Sequence, residues 1–417
     1  METTVIARSH FMSLAGAVVL ASLLAASSCK KDGAKSDPAG SNVETGLVPL
    51  PSTTGGSIAI GNLDATVGGQ ERRIAAEPTN FELRAGLVDA LLLRGQYLGT
   101  IADYERASEI AETLVREGPQ HAESWKARAS TNATWHRFDA ALADLRAAEK
   151  AGAPPQSLTR TRSSILAATG KLDEAWAAAP NNGDSAGESL SLASRALLAG
   201  ELGRMADAEG DLAAARSRYR DVSPLPLAWM DAMQAALYEK NGDRAKARAY
   251  YTRANRILPL YANAAAHLAT YETAQRGVAI LEPVVARSDD PEVHAALGDA
   301  LRRVGRVAES QAELTKAREG YETLVVKHRE AFADHAARFW MGAGGDPPRA
   351  LPLAADNAKL RPTDESLSLW LEAAQAARDP QATCDAARAL TALRHATETL
   401  RAPARTALAR CPPAHDQ

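Results

Sequence analysis

The feature that most limits the fold of this chain is a pattern of small and aromatic residues that recurs about every 34 residues. Its clearest copy spans residues 228–259 and places these residues at fixed offsets: Ala235, Tyr238, Gly242, Ala247, Tyr251, Ala254 and Pro259. The alanines let neighbouring helices cross at close range, and the tyrosines fill the space between crossings. Gly242 permits a tight turn, and Pro259 ends the second helix. The pattern therefore predicts a hairpin of two antiparallel helices.

Partial copies of this unit occupy most of the chain. A second strong copy, residues 291–317, holds Leu297, Gly298, Leu301, Gly305, Leu314 and Ala317. Together the copies cover residues 63–411, which we predict to form about eight or nine helix pairs. No segment shows the sustained period-two alternation of a strand, so we expect an all-α chain. An irregular all-helical domain is the alternative.

The offsets of these residues resemble those of the tetratricopeptide repeat (TPR) family. The resemblance implies a right-handed α-solenoid, a superhelix in which each helix pair covers the open face of the pair before it. It also implies that the first helices of the pairs line a concave groove. Grooves of this family bind peptides or protein surfaces, so the resemblance implies a protein or peptide partner.

Candidate partner contacts follow from the groove positions of the family. Carried onto three copies of the unit, these positions select Trp229, Glu239, Asp299, Arg302, Phe332, His335 and Phe339. The three aromatic side chains are candidate anchors for an apolar segment, because aromatic residues bury a large area on binding. The alternative is that the aromatic residues pack between repeats and that the charged residues are solvated.

The first 28 residues are a predicted signal peptide. The basic residues Arg8 and His10 precede an apolar run, residues 11–26, that is too short for a comfortable permanent membrane span. Small residues then lead directly to Cys29. This arrangement resembles the lipobox of bacterial lipoproteins, although Ala26 stands where the usual box has leucine.

The lipoprotein resemblance implies that Cys29 is acylated and anchors the chain in a membrane. Lys30 follows the cysteine in place of the aspartate that implies inner-membrane retention, so the outer membrane, facing the periplasm, is the expected location. Residues 29–62 are rich in Gly, Ser and Pro and are predicted to be a flexible tether, and residues 412–417 a disordered tail. The alternative is ordinary secretion, with Cys29 as a spare thiol.

Two further cysteines, Cys384 and Cys411, lie near the end of the chain. We predict one helix over residues 380–392 and a second over residues 403–411 that runs back antiparallel. This arrangement lets the two cysteines meet, and a disulfide fits an oxidising compartment. The alternative is two unpaired buried thiols.

The balance of charges and the absence of catalytic motifs limit the classes of function that the chain can have. The chain has 48 Lys and Arg and 51 Asp and Glu residues, interleaved to a net charge of −3. This argues against a nucleic-acid partner, which needs a concentrated basic face. The sequence has no HExxH, CxxC, GxSxG or GxxxxGK[ST] motif, so we expect no enzyme, metal or cofactor. Two classes remain: a tethered adaptor that assists assembly of an envelope complex, and a capture protein for a small solute or cell-wall fragment.

Overall fold

A computed structural model describes residues 47–179 and 188–412. These residues form twenty α-helices and no strand, which confirms the predicted all-α class. In chain order the helices are α1 (Gly56–Ala76), α2 (Phe81–Leu98), α3 (Ile101–Glu117), α4 (Ala122–Thr134), α5 (Phe138–Lys150), α6 (Pro155–Ala168), α7 (Leu172–Ala178), α8 (Glu188–Glu201), α9 (Met205–Arg218), α10 (Leu225–Lys240), α11 (Arg244–Ile257), α12 (Ala262–Tyr271), α13 (Ala274–Val285), α14 (Pro291–Arg303), α15 (Val307–Lys327), α16 (Arg329–Met341), α17 (Pro347–Leu360), α18 (Asp364–Ala376), α19 (Pro380–Ala392) and α20 (Glu398–Leu408).

The helices are organised as nine consecutive pairs, from α2 with α3 to α18 with α19, and α1 and α20 lie at the two ends. The two helices of a pair pack on each other, and most first helices also contact the first helix of the next pair. Packing that runs from neighbour to neighbour in this way defines an α-solenoid. The solenoid fold is therefore confirmed, with nine pairs in the described chain.

The pair α10–α11 shows why the repeated residues form a hairpin. Ala235 and Ala247 are completely buried where the two helices cross. Gly242 lies between the helices with a φ of 81°, a left-handed conformation that glycine adopts without steric cost. The Asp243 side chain then accepts a hydrogen bond from the Lys246 backbone N–H and starts α11. Each repeated position therefore has a packing or turn role in the structure.

The folded part of the chain begins earlier than the sequence predicts. Helix α1 starts at Gly56, inside the predicted tether of residues 29–62. A methyl group on Gly56 would lie 2.4 Å from the backbone oxygen of Ile257 at the end of α11. This glycine therefore serves a close approach of two backbones and not a flexible linker. Glycine content alone does not distinguish these two uses, which is why the tether boundary was placed too late.

A non-helical segment, residues 47–55, precedes α1 and also belongs to the folded body. The backbone N–H of Thr54 donates a 2.8 Å hydrogen bond to the carbonyl oxygen of Val222, in the loop before α10. The carbonyl oxygen of Val48 accepts a 2.6 Å hydrogen bond from Nη1 of Arg253 on α11. These contacts fix the segment on the fifth helix pair.

Several predictions concern residues outside the described part of the chain. The signal peptide, Cys29 and the tether up to residue 46 lie there, and so does the predicted tail from residue 413 onward. Within the described residues, no helix combines the length and the apolarity needed to cross a bilayer.

The solenoid curves tightly enough for its first half to touch its second half. Turns inside the first five pairs meet connections that follow later pairs. We call this set of contacts the internal interface. Its main members are Gly99, Ile101, Trp135, His136, Asp173 and Lys240 from the first half, and Ser288, Asp289, His328, Glu330, Asp364 and Arg394 from the second. The internal interface covers part of the surface expected to be open to a partner.

Candidate partner-binding site

The aromatic residues predicted to anchor a partner are buried. Trp229, Phe332 and Phe339 expose 2%, 8% and 5% of their surface. Trp229 belongs to a hydrophobic cluster that includes residues of α1–α3 and α8–α12, whereas Phe332 and Phe339 belong to a second cluster around α15–α18. The structure thus uses all three in packing between helices, which was the alternative interpretation of these positions. Their role as partner contacts stays a prediction.

Glu239 is also buried, and its carboxylate is the centre of a polar cluster between the fifth and sixth pairs. The hydroxyl of Tyr271 donates a 2.5 Å hydrogen bond to it, and the hydroxyl of Tyr251 donates one of 3.2 Å. Nδ1 of His267 lies 3.3 Å away. Burial raises the pKa of the Glu239 carboxyl, but these three groups outweigh burial and the pKa lies below its ordinary value. The carboxylate is therefore satisfied within the fold.

The charged candidates on α14 remain open to solvent. The Asp299 and Arg302 side chains are 40% and 65% exposed and form a 2.6 Å ion pair within one helical turn. His335 on α16 is 25% exposed and lies 3.3 Å from Glu292 and 3.8 Å from Asp334. Of the predicted contacts, Asp299 and Arg302 therefore present polar surface to a partner, whereas His335 is largely covered.

In one contact of the internal interface, a side chain of the second half caps the start of α3 in the first half. The Asp289 carboxylate, in the connection after the sixth pair, accepts hydrogen bonds from the backbone N–H groups of Ile101 (2.5 Å) and Ala102 (3.1 Å). These N–H groups begin α3, whose own N-cap residue, Thr100, makes no side-chain capping bond. The Ser288 hydroxyl donates a 2.7 Å bond to the carbonyl of Gly99. The second half thus completes a helix start in the first pair.

A turn of the second pair makes the most buried contact. We call residues 135–137, between α4 and α5, the Trp-His-Arg turn. The indole of Trp135 is 1% exposed and stacks on the imidazole of His328, with ring centroids 3.7 Å apart and the planes 7° from parallel. Nδ1–H of His136 donates a 3.0 Å hydrogen bond to the backbone carbonyl of Glu330. Trp135 thereby joins the hydrophobic cluster of the last pairs.

The Trp-His-Arg turn covers residues that were predicted to meet a partner. The ring of Phe332 lies 6.2 Å from the ring of Trp135, and the ring of His335 lies 6.1 Å from that of Phe332. The first half of the chain therefore occupies the surface of α16 that the groove positions select.

The ionisable groups beneath this turn form one buried cluster. Burial disfavours the charge of His335, but Asp334 and Glu292 outweigh it and raise the pKa of His335 to about 9. The pKa of Asp334 falls to about 2 because His335 and Arg361 overcome the effect of burial. Burial, assisted by Arg361, lowers the pKa of His136 to about 3. A neutral imidazole of His136 therefore faces a charged network.

A second buried cluster joins the fourth, fifth and ninth pairs. Nζ of Lys240 lies 2.6 Å from Glu201, 2.9 Å from Asp364 and 3.2 Å from Glu365. Burial raises the pKa of Glu201 to about 7, while Lys240 opposes this rise. Three carboxylates within 4.8 Å of one another can hold a metal ion. Here the ammonium of Lys240 lies among them, so the chain supplies the cation itself.

A cleft of about 260 Å³ opens beside this cluster, between the two halves of the solenoid. Its walls are residues 170–174, Glu201, residues 362–364 and residues 393–396. One wall is fixed to the other by Asp173, which lies 3.1 Å from Arg394 and 3.6 Å from His395. The cleft combines charged groups of both signs with room for a small polar molecule.

The two C-terminal cysteines lie where the sequence places them. Cys384 is near the start of α19, Cys411 follows α20, and the Cα atoms are 5.7 Å apart in a disulfide. Helix α19 packs on α20. The bridge therefore links the last helix pair to the helix that closes the array.

Sequence reasoning did not identify the Trp-His-Arg turn, yet the sequence contained a signal. His136 occupies the turn position that glycine fills in other pairs, as Gly170, Gly203 and Gly242 show. Its φ is 56°, in the left-handed region where a residue with a Cβ is strained. At His136 the side chain at this position contacts the second half of the chain, whereas Arg378, with the same φ, makes no such contact among the described residues.

The described residues define an α-solenoid of helix pairs whose first half contacts its second half. No protein-family model and no curated protein sequence matches the chain. Solved structures of similar fold include Cut9 from the APC/C hetero-tetramer Cut9–Hcn1, with 13% identity, a TM-score of 0.39, and coverage of 84% of this chain and 73% of that one. Yeast Tom70 has 12% identity, a TM-score of 0.34 and coverage of 84% and 92%. Human IFIT1, in a dimer with PPP-AAAA, has 16% identity, a TM-score of 0.31 and coverage of 74% and 72%.

Proposed function

We propose that the protein is a tethered scaffold that binds a protein or peptide partner through its concave face and assists the assembly of an envelope complex. One observation carries the proposal: α14 keeps Asp299 and Arg302 exposed at positions that the family uses for partner contacts. An exposed ion pair offers both a donor and an acceptor to a partner backbone. The array of nine pairs provides an extended surface around it.

The tether is the second part of the proposal. Acylation of Cys29 anchors the chain in the outer membrane, and residues 30–46 connect the anchor to the folded body at Leu47. Seventeen residues reach at most about 60 Å when fully extended, so the body stays near the membrane surface. Replacement of Cys29 by serine should abolish incorporation of labelled palmitate and release the protein from membranes. Palmitate-free protein that remains in the membrane fraction would argue for another mode of attachment.

Crosslinking in native membranes, followed by affinity purification and mass spectrometry, tests partner binding. We expect the wild-type chain to recover a stoichiometric protein partner and the double variant Asp299→Ala/Arg302→Ala to lose it. The double variant Asp385→Ala/Arg388→Ala is the control, because it removes a similar ion pair three residues apart on α19. If both double variants recover the partner equally well, α14 is not part of the partner surface. If the wild-type chain recovers no protein partner, the scaffold function is wrong.

Capture of a small solute or cell-wall fragment is the second candidate, and the cleft of about 260 Å³ favours it. Charged walls of both signs suit a small zwitterionic molecule. Equilibrium dialysis against envelope extracts, with mass spectrometry of the retained molecules, tests this function. The capture function is supported if the wild type retains a compound that the Arg394→Ala and Asp173→Ala variants do not retain. The scaffold function is supported if no compound is retained and the pull-down recovers a protein partner.

A further inference from the structure

The surface beneath the Trp-His-Arg turn resembles a binding site that a segment of the same chain occupies. Trp135 comes from the second pair, yet it is part of the hydrophobic core of α15–α18. Its indole lies flat on His328, and its Nε1–H donates a 2.6 Å hydrogen bond to the Ser108 hydroxyl of its own half. An aromatic side chain that enters the core of a distant element, with its polar edge satisfied, is the usual anchor of a protein–protein contact.

The backbone at this turn makes the same two hydrogen bonds as the glycine turns, from the N–H of His136 to the Ala133 carbonyl and from the N–H of Arg137 to the Asn132 carbonyl. His136 adopts a φ of 56° where other pairs have glycine. Arg378 in the ninth pair also has a φ of 56°, but its side chain makes no hydrogen bond or ion pair with the described residues. His136 instead uses its imidazole to bind the Glu330 carbonyl and is 4% exposed. Docking thus distinguishes His136 from Arg378, which provides a matched position without docking.

The rim of the contact is polar and exposed. Glu105 on α3 lies 2.9 Å from Lys327 and 3.4 Å from His328, and Arg137 lies 3.4 Å from Nδ1 of His328. Exposed ion pairs of this kind contribute little to stability and weaken with salt. The flat indole and the hydrogen bond to the carbonyl therefore define what the surface recognises.

We propose that His328, the Glu330 carbonyl and Phe332 form a peptide-docking surface that the Trp-His-Arg turn occupies within the same chain. The partner that fits it presents a flat aromatic side chain followed directly by a hydrogen-bond donor, as the turn does. Binding of such a partner displaces the turn and opens the internal interface. This inference rests on the proposed scaffold function and names the chemistry of its partner.

The geometry explains why an aromatic residue is required. The Trp135 indole fills a slot lined by three rings: it stacks on the His328 imidazole at 3.7 Å and meets the rings of Tyr104 and Phe332 at 5.9 and 6.2 Å. A branched aliphatic side chain does not reproduce these contacts. The pKa of His328 is lowered, chiefly by burial, so the imidazole is neutral and offers a flat stacking face at neutral pH. The Glu330 carbonyl accepts a hydrogen bond from the residue beside the ring, so a donor at that position adds a directional contact.

A peptide with the sequence of residues 131–139, TNATWHRFD, tests the docking surface. Fluorescence anisotropy of the labelled peptide should show binding to the full-length Trp135→Ala variant at least tenfold tighter than to the wild type, where the slot is filled. Adding His328→Ala to this variant should remove the gain, and so should replacing the tryptophan of the peptide by alanine. Equal, weak binding to every folded chain would overturn the proposal.

A second measurement covers the possibility that Trp135→Ala does not fold. In that case the peptide should restore the helical circular-dichroism signal, and failure to restore it counts against the proposal. Hydrogen exchange gives an independent readout with the folded glycine variants. His136→Gly should speed exchange of the amides of residues 328–332, while Arg378→Gly, which relieves the same strain elsewhere, should leave them unchanged. Equal exchange in the two variants would also overturn the proposal.

The partner pull-down separates this inference from the scaffold function. If Phe332→Ala recovers the native partner as well as the wild type does, the scaffold function stands and the docking surface is wrong. If the wild type recovers no partner but the peptide binds Trp135→Ala through His328, the docking surface stands and the scaffold function is wrong.

Discussion

The ammonium of Lys240 at the end of α10 lies 2.9 Å from the carboxylate of Asp364 at the start of α18 and connects the fifth helix pair to the ninth. The Lys240 side chain is 1% exposed and also serves Glu201 and Glu365. A single buried cation therefore balances three carboxylates contributed by both halves of the chain. The contact between the two halves of the solenoid therefore depends on the Lys240 side chain.

Replacing Lys240 by methionine keeps the length of the side chain but leaves three carboxylates without their cation. We expect a loss of about 3–5 kcal/mol in the free energy of unfolding at pH 8. The loss should be smaller at pH 5, because Glu201 already has a pKa of about 7 and becomes neutral below it. Chemical denaturation at the two pH values measures the difference. Lys246→Met is the control, since Lys246 is 53% exposed, and it should change stability by less than about 1 kcal/mol.

The repeat pattern was sufficient to predict the helix pairs, because the residues that define a pair are close in sequence. Ala235, Gly242 and Ala247 fix a local crossing and a local turn, and both are present in the structure. The disulfide partners could likewise be placed from two neighbouring helices. Local sequence rules are sufficient to predict the helix pairs because each pair packs mainly on its neighbours.

The closure of the solenoid could not be predicted in the same way. It depends on contacts such as that of Trp135 with His328, which join the second pair to the start of the eighth. The groove positions of the family assume an open concave face, so Trp229 and Phe332 were selected as accessible although the structure buries them. Bulky residues stand at the glycine position at both His136 and Arg378, but only His136 makes a long-range contact among the described residues, so a single sequence does not identify the contact.

Asp89 on α2 should make stability depend on pH. Burial raises the pKa of its carboxyl from 3.8 to about 7, despite the nearby Lys126. The pKa of the Asp89 carboxyl is higher in the folded state than in the unfolded state. Its neutral form therefore allows full stability of the protein below about pH 4, and this stability is lost as the pH rises through about 7. Asp89→Asn should therefore be more stable than the wild type by about 4 kcal/mol at pH 8, the equivalent of about three pKa units, and equally stable at pH 4. Thermal or urea unfolding at both pH values checks this, and the same difference at both values would contradict it.

The disulfide between Cys384 and Cys411 should stabilise the C-terminal end of the array. The bridge spans 27 residues, for which the chain-entropy model gives about 3 kcal/mol. The double variant Cys384→Ser/Cys411→Ser should lose this amount in urea unfolding and show faster hydrogen exchange in α19 and α20. Reductant should reproduce the loss in the wild type and have no effect on the double variant. Equal stability of the reduced and oxidised wild type would exclude a stabilising bridge.

Gly56 and Gly61 provide a matched pair that tests why α1 begins inside the predicted tether. Both lie in α1, but a methyl group at Gly56 would approach the Ile257 oxygen to 2.4 Å, whereas one at Gly61 would meet no atom within 4 Å. Gly61→Ala should stabilise the protein by roughly 0.5–1 kcal/mol, because alanine is the better helix former. Gly56→Ala should destabilise it by about 1–3 kcal/mol, because two backbones must move apart. Urea unfolding compares the two variants, with hydrogen exchange of residues 57–60 as the local readout. A stabilising Gly56→Ala would mean that α1 does not pack against the end of α11.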